Sequence, residues 1–325
     1  MNISPLILER KLDRRLWGGT TLANRLGVPA ESGGEPLAEA WLAYEENLIS
    51  EGPHAGRSLA SLAQEMGASL LGTATMSRYG RKFPLLTKLI DAARPLSIQV
   101  HPDDAYAQAN EQGSGSLGKA EAWYILAADP GASIVWGFER GVTPDEVRGA
   151  IREENLEELV RRVDVTSGDV IYNPPGTVHA IGAGILLFEV QQTSDLTYRL
   201  YDYGRRDASG QQRELHLEKS LDVADLSGAA LAKVAPLELG PGHRLLIETD
   251  YFAMESIGLQ GEPVSLETSA ASMEILTLLG DSAVIGWDGG EIELPESQAV
   301  ILPASLGRYR LAGQGEVVRC HLPVR

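Results

Sequence analysis

The chain has 325 residues, 43% hydrophobic and 22% charged, an ordinary globular balance that excludes disorder throughout and leaves room for two domains. Lys and Arg number 28 against 45 Asp and Glu, and the net charge of −17 opposes both nucleic acid and an anionic membrane surface. A single cysteine, Cys320, excludes a disulfide framework and a cysteine-built zinc site, and no secretory signal or membrane-length apolar run is present, so the expected location is the cytoplasm.

In chain order, the first clear element is a helix over 58–71, with Leu59, Leu62, Met66 and Leu70 at helical spacing. Ser97, Gln99 and His101 alternate, which on a strand puts all three side chains on one face. Thr143, Pro144 and Glu146 form a capping box at the start of a helical pattern over 143–163. Its stripe of Val147, Ile151, Leu156, Leu159 and Val160 is broken, predicting two short helices. Short β-rich runs follow at 170–172, 185–190, 197–201, 244–247, 274–279, 284–287, 299–302 and 316–321. Turn signals such as Gly182-Ala183-Gly184 and Asp288-Gly289-Gly290 separate them, the pattern of a sandwich or barrel. Residues 206–218 are polar and predict an exposed loop, and a domain boundary is expected near 235.

Two stretches carry the chemistry. The run from Gly168 to His179 reads Gly, five residues, Pro174, one residue, Gly176, two residues, His179. This spacing resembles the second motif of the cupin jelly roll, and Gln99-Val100-His101 stands where many cupins have His-x-His. Gly118-Lys119-Ala120-Glu121-Ala122-Trp123-Tyr124, Lys11 to Gly19, Phe83-Pro84-Leu85-Leu86 and the run from Glu189 to Arg199 extend the likeness. Together they resemble the type I phosphomannose isomerases in their short bacterial form, over roughly residues 5–220.

The resemblance implies a mainly β fold of two cupin-type jelly-roll barrels with a few helical insertions. Residues 1–235 would be the metal-binding catalytic domain, and 236–325 a degenerate, metal-free jelly roll. The metal ligands fall on Gln99, His101, Glu121 and His179, with one zinc ion per chain and manganese, cobalt or iron compatible with the donor set. The implied reaction is interconversion of mannose 6-phosphate and fructose 6-phosphate through a cis-enediol. Arg199 matches the catalytic arginine, suited to stabilising a developing oxyanion. Lys119 and Ser97 match substrate-contacting positions and suit a phosphate, with Arg205 in support and Lys88 and Arg94 as further basic candidates.

Glu189 is the candidate base. A hairpin centred on Ala183 would set His179 opposite Leu187 and turn Glu189 inward; metal-bound water or a histidine are the alternative shuttles. His54, His216, His243 and His321 have no motif around them and are expected to play no role. Ala120 and Ala40-Trp41-Leu42-Ala43 depart from the family pattern and bear on substrate positioning, not on metal binding. The rival readings are an iron cupin oxygenase, which the glutamine and the Lys-Ala-Glu spacing disfavour, and a cupin that binds a sugar phosphate without converting it.

Overall fold

A computed structural model describes residues 4–32, 34–112, 117–206, 210–228, 232–280 and 282–323; positions 207–209 of the expected loop lie outside the described residues. The described residues are mostly strand, in sheets of ten, eight and five strands, with short helices between. By internal contacts the chain forms two units. One comprises Met1–Leu12, Ala40–Lys88 and Ala235–Arg325, the other Asp13–Glu39 and Leu89–Val234.

The first unit is built around the long strand Arg308–His321. It pairs along its length with Ala253–Gln260, Val264–Glu267, Glu274–Leu278 and Ser282–Trp287. The β-branched and aliphatic residues of these strands supply its core, including Ile257, Leu276, Ile285, Leu311 and Val317, joined by Val300 of the strand Ala299–Leu302. The runs expected from 244 to 321 lie inside observed strands, except that 274–279 runs one residue past the strand Glu274–Leu278. The helix expected over 58–71 is two helices, Leu59–Met66 and Ala68–Leu71, because Gly67 between them sits at φ +52 and ends the first. A Cβ on Gly72 would come within 2.3 Å of the Ala271 backbone, so a glycine is needed where this helical segment meets residues 270–273.

In the second unit the five-stranded sheet runs Tyr198–Tyr201, Ile98–Val100, His179–Ala180, Ser133–Phe138, Val160–Asp164. A second set of neighbours runs Lys233–Val234, Val170–Asn173, Glu121–Ala128, Ile185–Gln192. Alternate residues of both sets meet in one apolar cluster, with Trp123, Ile125, Ile171 and Leu187 from one and Ile134 and Ile181 from the other. The opposite face of the five-stranded sheet buries Ile98, Val100, Val135, Ala180 and Leu200, with Val147 and Ala150 of the helix Pro144–Arg152 packed in the same cluster.

That helix carries the expected capping box, Thr143 Oγ1 accepting from Glu146 N–H and Glu146 accepting from Thr143 N–H. Its predicted continuation differs. Leu156–Glu158 is a single 3₁₀ turn and Val160–Asp164 is a strand paired with Ser133–Phe138. The apolar spacing there suits a helix, but pairing with a strand over twenty residues upstream decides the outcome.

The hairpin expected around Ala183 does not form. His179 pairs with Gln99 and Trp136 in the five-stranded sheet, while Leu187 pairs with Ile125 in the other. The chain crosses between the two sheets instead. Gly182 lies so close to Ser133 that a Cβ would stand 1.9 Å from its carbonyl oxygen, and Gly184 turns at φ +76. Close approach and left-handed backbone, both glycine properties, serve here to change sheets instead of to close a hairpin.

Candidate metal centre

His101, Glu121 and His179 come together with ligand atoms all within 4.8 Å of one another. Each is about 1% exposed. Glu121 opens the strand Glu121–Ala128 on one sheet, and His179 and Gln99 sit opposite each other on the other sheet, so the group closes the space where the apolar cluster ends. His101 follows Gln99 by two residues, one residue past the end of the strand Ile98–Val100.

Local geometry holds each side chain. Gly176 lies at φ +88 and donates its N–H to the His101 carbonyl at 2.9 Å, tying the two motifs together. A Cβ on Gly118 would meet the Asp103 backbone at 2.4 Å, so glycine admits the close approach that brings Lys119 and Glu121 beside His101. Ala120 N–H donates to Gln192 Oε1, whose amide nitrogen donates to Asp104.

The histidines are prepared as ligands. His101 Nδ1–H donates to the Leu196 carbonyl and His179 Nδ1–H to the Thr177 carbonyl, both at 2.8 Å. Each ring therefore keeps a lone pair on Nε2, and these atoms lie 3.4 and 3.0 Å from the Glu121 carboxylate. Burial, then the nearby Lys119, drives the His101 imidazolium pKa down to about 3, so the ring is neutral. Burial alone would raise the Glu121 pKa, but the Lys119 ammonium beside it opposes this, and the carboxyl is held well below its ordinary range. Lone pairs aimed at a carboxylate do not satisfy one another. His101 Nε2 and Glu121 Oε1 are buried without a hydrogen-bond partner among the described residues, while Oε2 faces the Lys119 ammonium at 3.2 Å. Two imidazoles, a carboxylate and a neighbouring carboxamide, with buried acceptors converging, fit a divalent cation.

The other expected residues are placed as follows. Gln99 Nε2 lies 3.4 Å from His179 Nε2, inside the group. Lys119 is buried with Nζ 3.2 Å from Glu121 Oε2. Ser97 is buried two residues before Gln99. Arg199 stands directly opposite Gln99 in the sheet; its Nη1 donates to the Glu214 carbonyl at 2.9 Å, while its buried Nε has no partner among the described residues. Glu189 is buried and stands opposite Trp123, on the same face as Glu121, and its Oε1 accepts from Trp123 Nε1–H at 2.9 Å. The Trp123 ring in turn meets His179 edge-on at 5.5 Å.

Sequence reasoning missed several neighbours. Arg213, in the expected exposed loop, shares Asp202 with Arg205, so three arginines with Arg199 surround one carboxylate. His216, expected to have no role, accepts the Arg199 N–H on Nδ1. Asn173 and Gln191 stand opposite Glu121 on either side of it. None of these carries a local signal beyond polarity, because long-range pairing alone brings them to the site.

The comparisons with known proteins follow the same line. The model for the catalytic domain of phosphomannose isomerase type I matches residues 6–129. A mannose-6-phosphate isomerase of Bacillus subtilis is 38% identical over 99% of this chain and all of its own length. One of Streptococcus mutans is 35% identical over 98% of each. The crystal structure of the mannose 6-phosphate isomerase from Bacillus subtilis superposes with a TM-score of 0.86 at 31% identity, covering 98% of this chain and 100% of that one.

Proposed function

The chain belongs to the type I phosphomannose isomerase family, and from that premise we propose how it acts. It is a metal-dependent aldose–ketose isomerase that interconverts mannose 6-phosphate and fructose 6-phosphate. The observation that carries the reading is the buried group of His101, Glu121 and His179 with its converging acceptors.

In our reading the ion is zinc, held by Gln99, His101, Glu121 and His179. When bound it supplies electrophilic polarisation of the substrate's carbonyl and hydroxyl oxygens. Glu189 moves the proton, removing it from carbon 2 of the open-chain aldose and returning it to carbon 1. Its burial and its bond to Trp123, on the face that carries Glu121, support the role. Arg199 stabilises the charge of the enediolate, supported by its place opposite Gln99 and by a guanidinium that stays cationic. Lys119 and Ser97 orient the substrate. The three arginines around Asp202 carry a surplus of positive charge, which offsets the negative field of the whole chain for a phosphate.

In this reading the chain carries two cupin-type jelly-roll halves, residues 236–325 forming the degenerate, metal-free one, to which Met1–Leu12 and Ala40–Lys88 attach. No helix of the described residues is long and apolar enough to cross a membrane, and a lone buried Cys320 suits the cytoplasm we assign.

The test is to strip the protein with a chelator and restore zinc, manganese or cobalt singly, assaying fructose 6-phosphate formation from mannose 6-phosphate. Turnover should vanish without metal and return with it. Stoichiometric metal binding with no product would overturn the isomerase reading.

A further inference from the structure

Glu121 is flanked on its own sheet by two carboxamides. Asn173 stands directly opposite it on the strand Val170–Asn173, and Gln191 directly opposite it on Ile185–Gln192. Residues paired in this way across antiparallel strands point to the same face, with Cβ atoms roughly 5 Å apart. All three side chains therefore line the end of the interior face where the metal group lies.

The two amides differ in how they are held. Gln191 is completely buried, and its Nε2 donates to the Gln192 and Ser194 carbonyls at 3.0 and 2.7 Å. Those bonds fix its orientation and leave Oε1 as a buried acceptor without a partner. Asn173 is 1% exposed, and neither its Oδ1 nor its Nδ2 has a partner among the described residues. A buried carboxamide with nothing to bond is costly, and an apolar residue of the same size would be cheaper at that position. Beside it the two proline residues Pro174 and Pro175 and the Gly176 turn hold the backbone, so the amide is not needed to cap the strand end.

The Asn173 amide, with a donor and an acceptor both unmet, matches a group that both donates and accepts, which is what a sugar hydroxyl does. Resting on the isomerase reading above, we infer that Asn173 binds a hydroxyl of the open-chain sugar next to the reacting carbons and is a specificity-determining contact of this site. Asn173 Nδ2 donates to one hydroxyl oxygen, and Asn173 Oδ1 accepts from a hydroxyl of the same sugar.

The experiment uses the zinc-loaded full chain and its Asn173→Leu and Asn173→Ala variants. The probe is the hexitol 6-phosphate made by reducing mannose 6-phosphate, which keeps the hydroxyls and cannot isomerise. Calorimetric titration should show its affinity about tenfold weaker in both variants. The KM for mannose 6-phosphate should rise with it while kcat falls less. The melting temperature of the sugar-free protein should hold or rise for Asn173→Leu, because an unpaired amide is removed. If instead both variants bind the hexitol phosphate and the sugar phosphate as tightly as wild type and melt several degrees lower, the amide serves the fold and the inference is overturned. Should Asn173→Leu not fold, the affinity of Asn173→Ala decides. Wild type that binds the hexitol phosphate but never turns over mannose 6-phosphate defeats the isomerase reading alone, and the affinity comparison still decides Asn173. Wild type that does not bind it defeats both.

Discussion

His179 faces Gln99 across two antiparallel strands, 80 residues apart in sequence, with its Nε2 3.4 Å from the Gln99 carboxamide nitrogen. The Thr177 carbonyl, two residues before His179, accepts a hydrogen bond from Nδ1–H, so the ring presents Nε2 to the site through the same short turn that delivers it. The Gly–Pro–Gly–His spacing thus does two things: it turns the chain and it selects the ligand nitrogen.

Removing Glu121 or His179 should cost metal and turnover together. Glu121→Ala and His179→Ala are expected to purify with little metal and to lose isomerase activity, read by elemental analysis and by the coupled assay. Glu121→Ala also leaves Lys119 buried beside no carboxylate, so it should lose stability as well. Full turnover in either variant would remove the residue from the site.

Arg199 and Glu189 should separate chemistry from metal binding. Arg199→Ala should keep stoichiometric metal and lose about 10²–10³ in kcat, the scale of a lost oxyanion partner. Glu189→Gln preserves an acceptor for Trp123 Nε1–H, so it should fold and bind metal while losing about 10²–10⁴ in kcat. Exchange of the carbon 2 hydrogen with solvent deuterium should slow in parallel. Wild-type kcat in Glu189→Gln would assign the proton to another group.

Acid should weaken the first unit through Glu255. Its oxygens are bonded by His243 at 2.7 Å and His321 at 3.1 Å, with Arg319 at 3.3 Å. Burial raises the carboxyl's pKa, but His321, Arg319 and His243 prevail and lower it from 4.5 to about 2. A pKa below the unfolded value means stability that is fully present above pH 4.5 and lost as pH falls toward about 2. Urea unfolding from pH 6 to 2 should show that loss, and Glu255→Gln should be less stable at pH 6 with a flatter slope below 4.5. An unchanged slope would show that this carboxylate does not control the acid limb.

Motif spacing was enough, by itself, to name Gln99, His101, Lys119 and Glu121 together, although Lys119 and His101 lie just outside the strands Glu121–Ala128 and Ile98–Val100. The capping box at Thr143 and the strand runs of the C-terminal stretch were legible because cap and strand geometry is local. Tertiary structure alone decided which strands pair. It moved His179 and Leu187 into different sheets, and it turned Val160–Asp164 from helix to strand. Glu189 faces inward because Trp123 and not His179's strand is its partner, so the expected orientation arises from a different pairing. Asn173, Gln191, Arg213 and the Glu255 cluster could not be read ahead, since their meaning comes from neighbours 11 to 70 residues away. Register between distant strands is set by burial summed over whole sheets, and no local window of sequence contains that sum.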